Sequence, residues 1–460
     1  MKNIQTSSRT KSCWILCFNH GLLDQKSTNL LVAELMASIH LSASMQNSHL
    51  SKSDNSENKE GDTTHHSKIE PATKKPLPPA VEAVVAKNTG LFAILQWMIP
   101  QFLEQPLKEC SSIPLQITKN YADDPVKYAH NANPQSRRAI IRTFRLSQAE
   151  TEGLLQRSRD NSVTVTSALS AAVLAVTSLF LQNGTNILEN NQSGIISSGH
   201  LTEDMSLEKD DLQTQNLRFL IVVDTRPLAP SDKKVVKAKS LERVTPACDV
   251  LHTATTSDWT GGQVALASHG VHVTTCVPHD TVRYARDICA NKIKTETPGK
   301  QTATQSIGSK NRDSELWDLA KVCRSKSRKK VENKFNEQML FFEFLVNHLE
   351  LASVVDKKAV DPAILGRDCH TGVSNVGVCT FSRGGRGGVG GELIELETLT
   401  VREVYFSVGY AYAGPYCMLS SITVDGCLCV TMAFTTPVTT SEEADLFTYC
   451  LSTLIKGMCI

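Results

Sequence analysis

The sequence predicts an α/β fold of mixed sheets with flanking helices, and three stretches carry that prediction. In residues 12–39 an apolar run at 13–18 has the character of a buried strand. Asn19-His20-Gly21 then signals a turn. Ser27 or Thr28 caps a helix whose apolar face is Leu30, Leu31, Ala33, Leu35 and Met36. Residues 138–181 repeat the alternation as a strand, a capped helix, a short break and an alanine-rich helix. From Gly372 onward the chain has the character of sheet, closed by one last helix.

Composition bounds the function. With 460 residues the chain has the length of two or three domains, and a hydrophobic content of 41% supports large cores. The 48 basic and 47 acidic residues leave a net charge of +1, so no global attraction to nucleic acid or to an anionic membrane is expected. The 14 cysteines include no C-x-x-C pair, and many lie in apolar runs such as CLCV. They indicate reduced, buried thiols of an intracellular, cytoplasmic protein, with no zinc-ligand set and no metal site. Residues 13–18 are too few for a signal peptide. Residues 90–99, stopped by Pro100, fall short of the roughly 20 a spanning helix needs, so no membrane span is expected. The oligomeric state is left open.

Two units follow in order. The first, 1–137, contains a polar stretch at about 40–75 that is a disordered insertion by composition. His65-His66 within it is a solvated pair rather than a metal site. The second unit, 138–460, opens on an alternating strand, and Ser147 and Glu150 then stand at capping-box spacing. Polar insertions are expected at about 182–215 and 292–312. Between them residues 216–223 form an apolar strand that ends in Asp224-Thr225-Arg226-Pro227, and residues 264–267 and 271–277 are short strands. His269, His272 and His279 lack acidic or cysteine partners and are ordinary strand and loop histidines.

A long helix starts at Ser314. Its basic run, 324–330, is either a solvated face or a group that meets phosphates. The Gly-rich 383–391 stretch lacks a Gly-Lys-Ser/Thr ending and fits a hairpin loop better than a phosphate loop or nucleic-acid box. A strand is expected at 401–411, then a hairpin at 422–434 turning on Asp425-Gly426. Ser441-Glu442-Glu443 caps a closing helix that runs to Leu454.

His20 and Asp24 stand in the spacing H-x-x-x-D, in the strand-to-helix turn of the first stretch. A histidine held there can act as general base, because neutral imidazole is populated near pH 7. This resembles the active-site motif of the HxxxD acyltransferases, which include chloramphenicol acetyltransferase-like enzymes, condensation domains and alcohol acetyltransferases. A more specific match lies at 147–172, where Leu154, Leu155, Arg159, Thr164, Leu169, Ala171 and Ala172 fill a pattern that recurs at the start of the family's C-terminal lobe. Leu316-Trp317-Asp318-Leu319-Ala320 and Ser374-Asn375-Val376-Gly377 resemble two further family segments, the latter a turn. The Asp-Phe-Gly-Trp-Gly motif of the plant branch is absent.

The resemblance implies a two-lobed chloramphenicol acetyltransferase-like fold, with His20 opening onto a tunnel between the lobes. It implies transfer of an acyl group from an acyl-CoA or carrier thioester, as co-substrate, to an alcohol or amine acceptor. His20 is then the catalytic base, no cofactor is bound and no covalent enzyme intermediate forms. Asp24 becomes a structural group paired with Arg226, whose other reading is the solvated end of an edge strand. Ser374 and Asn375 face the tunnel or substrate. Three departures point elsewhere: only 19 residues precede His20, Asn19 replaces a frequent second histidine, and Gln25 replaces the usual glycine. They imply an incomplete N-terminal lobe and, as the alternative, a catalytically inactive relative that serves as a binding or interaction protein.

Overall fold

The computed structural model describes residues 13–17, 28–29, 31–32, 35–36, 137–183, 214–224, 268–296, 313–348, 351–361, 365–379, 401–408, 413–436 and 438–460. The order of elements is β1 (Arg138–Arg145), α1 (Gln148–Asp160), α2 (Val165–Asn183), β2 (Gln215–Asp224), β3 (Ser268–Val277), α3 (His279–Glu296), α4 (Asp313–His348), α5 (Leu351–Val360), β4 (Arg367–Cys379), β5 (Gly414–Val424), β6 (Cys427–Thr436) and α6 (Ser441–Gly457). The fold is mixed α/β. Six strands form one sheet in the order β1-β6-β5-β4-β2-β3. β4 runs parallel to both β2 and β5, and the remaining pairs are antiparallel.

Local signals set most of the element ends. Ser147 Oγ accepts from the Glu150 amide at 3.3 Å while Glu150 Oε2 accepts from the Ser147 amide at 2.7 Å, so each residue satisfies a backbone donor of the other. α6 has the same box one residue earlier than expected: Thr440, not Ser441, is the cap, with Glu443 at 2.8 and 3.2 Å. The β5–β6 hairpin turns on Asp425 (φ 49°) and Gly426 (φ 74°), the left-handed pair that matches the twist of flanking strands.

The core lies between one face of the sheet and the helices. Residues 167–180 of α2 are all buried, which suits a helix apolar on every side and rich in alanine. Two of its hydroxyls are satisfied within the helix, Ser170 donating to the Thr166 carbonyl at 2.8 Å and Thr177 to that of Val173 at 2.7 Å, while Ser178 donates to Gln215 Oε1 of β2 at 3.1 Å. Phe447 of α6 packs between Phe180 and Phe434, with ring centres 5.0 and 5.3 Å away. Residues 165–182 make the one described helix that is long and apolar enough, by length and composition, to cross a membrane, and 78% of it is buried inside the fold.

Four expectations need correction. Residues 13–17 are exposed, with Ile15 at 87%, and lie in no strand; an apolar run alone does not supply the neighbour that pairs its backbone. Ser374 to Gly377 do not form a turn. They lie inside β4, where the register with β5 shifts between Asn375 and Val378 and Gly377 takes φ +85°, as in a β-bulge. Residues 401–408 join no ladder. Val401, Val404 and Phe406 instead pack on Ile422, Val424 and Cys429 of β5 and β6, interior strands whose backbone groups are already paired. Finally, α3 carries residues 292–296 into the stretch taken as a polar insertion. Its buried Val282, Ala285 and Cys289 recur at helical spacing after Pro278, a signal diluted by the charged residues between them.

Candidate functional site

Of the residues singled out in the sequence, His20, Asp24 and Arg226 lie outside the described residues. β2 ends at Asp224, just before Thr225-Arg226, and runs parallel to β4 with Ile221 beside Val373. Ser374 and Asn375 are next along β4, near its C-terminal end. In open α/β sheets ligands bind beyond the carboxyl ends of parallel strands. The described part of the candidate site is therefore the C-terminal ends of β2, β4 and β5.

Asn375 is half-buried and occupied at both ends. Its Nδ2 donates to Thr166 Oγ1 at 3.1 Å, and its Oδ1 accepts from the Gly377 amide at 3.0 Å. It thus ties the β4 bulge to the start of α2, on the helix side of the sheet. Ser374, one residue away, is half-buried and points to the other side. Its register partner in β5 is Ser420, which pairs in turn with Thr431 of β6. Ser420 is 2% exposed, and its hydroxyl has no hydrogen-bond partner among the described residues. Ser421 is buried on the helix side, with its hydroxyl in the same condition. Sequence reasoning missed this pair. The signal available was two consecutive serines inside a strand otherwise dominated by apolar residues.

The buried polar groups around the site divide into fixed and inert. His370 of β4 is buried, and its Nδ1 accepts from the Arg218 amide of β2 at 3.0 Å. Burial pushes its pKa down to about 4. The ring is therefore neutral at physiological pH, with its proton on Nε2, the tautomer this contact assigns. Arg367 is fully buried and donates to the Pro415 carbonyl at 3.1 Å and to Thr435 Oγ1 at 3.4 Å. Arg137 donates to the carbonyls of Leu365, at 2.8 Å, and Ala359. Both guanidinium groups clasp backbone carbonyls near the start of β4.

The described cysteines are all free thiols. Burial raises Cys417 to about 11 and Cys323 to about 12, so neither is a ready nucleophile. Among the described residues no group of three or more His, Cys, Asp or Glu could hold a metal. In the basic run of α4, Arg324 donates to the Ser162 carbonyl, Lys326 to that of Thr274 at 2.9 Å, and Arg328 pairs with Glu332 at 2.6 Å. These cations are engaged within the fold.

No family model matches the sequence, and no curated protein matches it. The solved structures to which it is similar include condensation-type and acetyltransferase domains. The epimerization domain from the third module of tyrocidine synthetase B is 10% identical with a TM-score of 0.40, over 96% of this chain and 67% of that one. A trichothecene 15-O-acetyltransferase from Fusarium sporotrichioides is 12% identical with a TM-score of 0.38, over 74% of this chain and 53% of that one. The condensation domain from a monacolin K polyketide synthase is 9% identical with a TM-score of 0.44, over 95% and 67%. The chain therefore spans between about half and two thirds of the length of these structures. At such identities and scores the likeness is one of sheet-and-helix outline.

Proposed function

We propose that the protein transfers an acyl group from an acyl-CoA or carrier thioester to an alcohol or amine, with His20 as general base. The observation that supports this most is the contact between Asn375 and Thr166, 3.1 Å long across 209 positions of sequence. It joins two segments, 147–172 and 374–377, that independently resemble the same family. In the reaction the acceptor gives its proton to the His20 imidazole as its oxygen or nitrogen attacks the thioester carbonyl. The carbon–sulfur bond then breaks, and the thiolate takes the proton back from the imidazolium. Asp24 and Arg226 hold the turn as an ion pair; arginine suits a buried carboxylate because it can bind both oxygens. An intracellular location belongs to the same proposal, supported by the free thiols.

The test is incubation of the purified protein with acetyl- and longer-chain acyl-CoA and a panel of alcohols and amines, with mass detection of the acylated acceptor. Product is expected with the native sequence and lost in His20→Ala. Equal product from both would overturn the role of His20. The exposed, unpaired residues 13–17, where a buried strand leading to His20 was expected, favour a second reading: a non-catalytic binding or interaction protein. Calorimetry with acyl-CoA separates the two, because catalysis requires saturable donor binding.

A further inference from the structure

The register of the sheet aligns four hydroxyl residues across four strands: Ser374 of β4, Ser420 of β5, Thr431 of β6 and Thr143 of β1. Cross-strand register partners share a face, and this face is the one opposite the helices. Leu419, Val430 and Met432 belong to the helix-side core, whereas Ile422 and Cys429 belong to the separate cluster under residues 401–408. Strands lie about 4.8 Å apart, so the row spans roughly 14 Å. One end, Thr143, is exposed, and Ser374 at the other is half-buried. Between them Ser420 and Thr431 are each 2% exposed. The flanking positions on β5 are Met418 and Ile422, so a polar seam runs between apolar borders.

A buried hydroxyl without a partner costs free energy that an alanine or valine would not. Ser421, on the helix side, is buried without a partner among the described residues too, so what sets Ser420 apart is the row of hydroxyls to which it belongs. The row also contains no charged side chain. The nearest cation on the β1 side of this face, Arg145, is occupied by Glu403 at 2.6 Å and by Cys427 Sγ at 2.9 Å. Phosphates of a thioester donor would need free cations, and a charged amine would need a carboxylate. Hydroxyls both donate and accept, and so match neutral hydroxyl and carbonyl groups.

We infer that the Ser374–Ser420–Thr431 row is an acceptor subsite that selects a neutral polyol with a largely apolar skeleton over charged amines. The inference rests on the acyl-transfer reading for the word acceptor, but the binding itself is measurable without turnover. The experiment is calorimetric titration of the full chain with decane-1,3-diol, decan-1-ol and decylamine, beside thermal unfolding of each variant. The native protein should bind the diol most tightly. Ser420→Ala should erase the preference of diol over mono-alcohol, a loss of about fivefold for one neutral hydrogen bond. Its unfolding midpoint should stay level or rise, because no partner is orphaned. Ser421→Ala, the same chemistry on the opposite face of the same strand, should leave the preference intact.

Equal binding of diol and mono-alcohol, tighter binding of the amine, or a preference that survives Ser420→Ala would overturn the inference. So would a lower unfolding midpoint in Ser420→Ala with unchanged affinity, which marks a structural hydroxyl. His20-dependent acylation without the diol preference would overturn this subsite alone. A preference lost in Ser420→Ala but without any acylation would support the subsite and overturn the acyl-transfer reading.

Discussion

On its helix side the sheet presents Leu419, Val430, Met432 and Phe434 to α2 and α6, and every one of these is buried against another apolar group. On the opposite side the same strands present Ser420, Ile422, Cys429 and Thr431. There a small apolar cluster lies under residues 401–408, beside a row of hydroxyls. The first face spends its side chains on stability. Each face holds one buried serine hydroxyl without a partner among the described residues, Ser421 on the first and Ser420 on the second, but only Ser420 stands in a row of hydroxyls that crosses the strands. The difference is one of packing: the first face belongs to the main core, and the second holds only a small separate cluster.

The largest effect should come from the helix side. Phe447→Ala removes a ring packed between Phe180 and Phe434, and should cost about 3–5 kcal/mol in denaturant unfolding. A loss under about 1 kcal/mol would mean that the two faces are not distinguished by packing. His370, whose backbone contact holds β4 to β2, gives the next effect. Its pKa in the fold, about 4, lies below the ordinary 6.5, so between those values the unfolded chain binds the extra proton. Stability is therefore full above about pH 6.5 and falls as the pH drops, with the loss complete near pH 4 and on the order of 3 kcal/mol. His370→Asn, which keeps an acceptor near the Arg218 amide but does not titrate, should flatten that slope in unfolding measured at pH 4 to 7.

Phe406→Ala sharpens the contrast from the other side. This ring is only half-buried over the small cluster, and its loss should cost about 1 kcal/mol by chemical denaturation. A cost equal to that of Phe447→Ala would make 401–408 a full core element. The smallest effect is expected at the surface, where Asp445 pairs with Arg142. That contact holds the Asp445 carboxyl below its usual range, mainly through the hydrogen bond. Because Asp445 is mostly exposed, Asp445→Ala should cost less than about 1 kcal/mol, less still at high salt.

What the sequence made legible was local. Ser147 and Glu150 are three residues apart, and Asp425-Gly426 is its own turn, so their chemistry was readable without a partner; the cap of the last helix lies one residue earlier than expected, at Thr440 instead of Ser441. Sheet pairing was not. Nothing in the apolar run at 13–17 indicated that it lacks a neighbour, and the alternation at 401–408 fitted a strand as well as a segment lying across a finished sheet. The site followed the same division. Ser374 and Asn375 could be singled out, but their opposite facings required the structure. Thr166 as the partner of Asn375, and Arg218 as that of His370 across 152 positions, appear only when distant segments meet.

The central claim is transfer from a thioester with His20 as base, and single-turnover thiol release tests it most directly. Acyl-CoA is mixed with excess enzyme and an acceptor already found to be acylated, and free coenzyme A is followed with time. The account predicts release in step with acceptor acylation in the native protein, and none above background in His20→Ala. Release at the same rate in both, or release that proceeds without acceptor at the full rate, would contradict it.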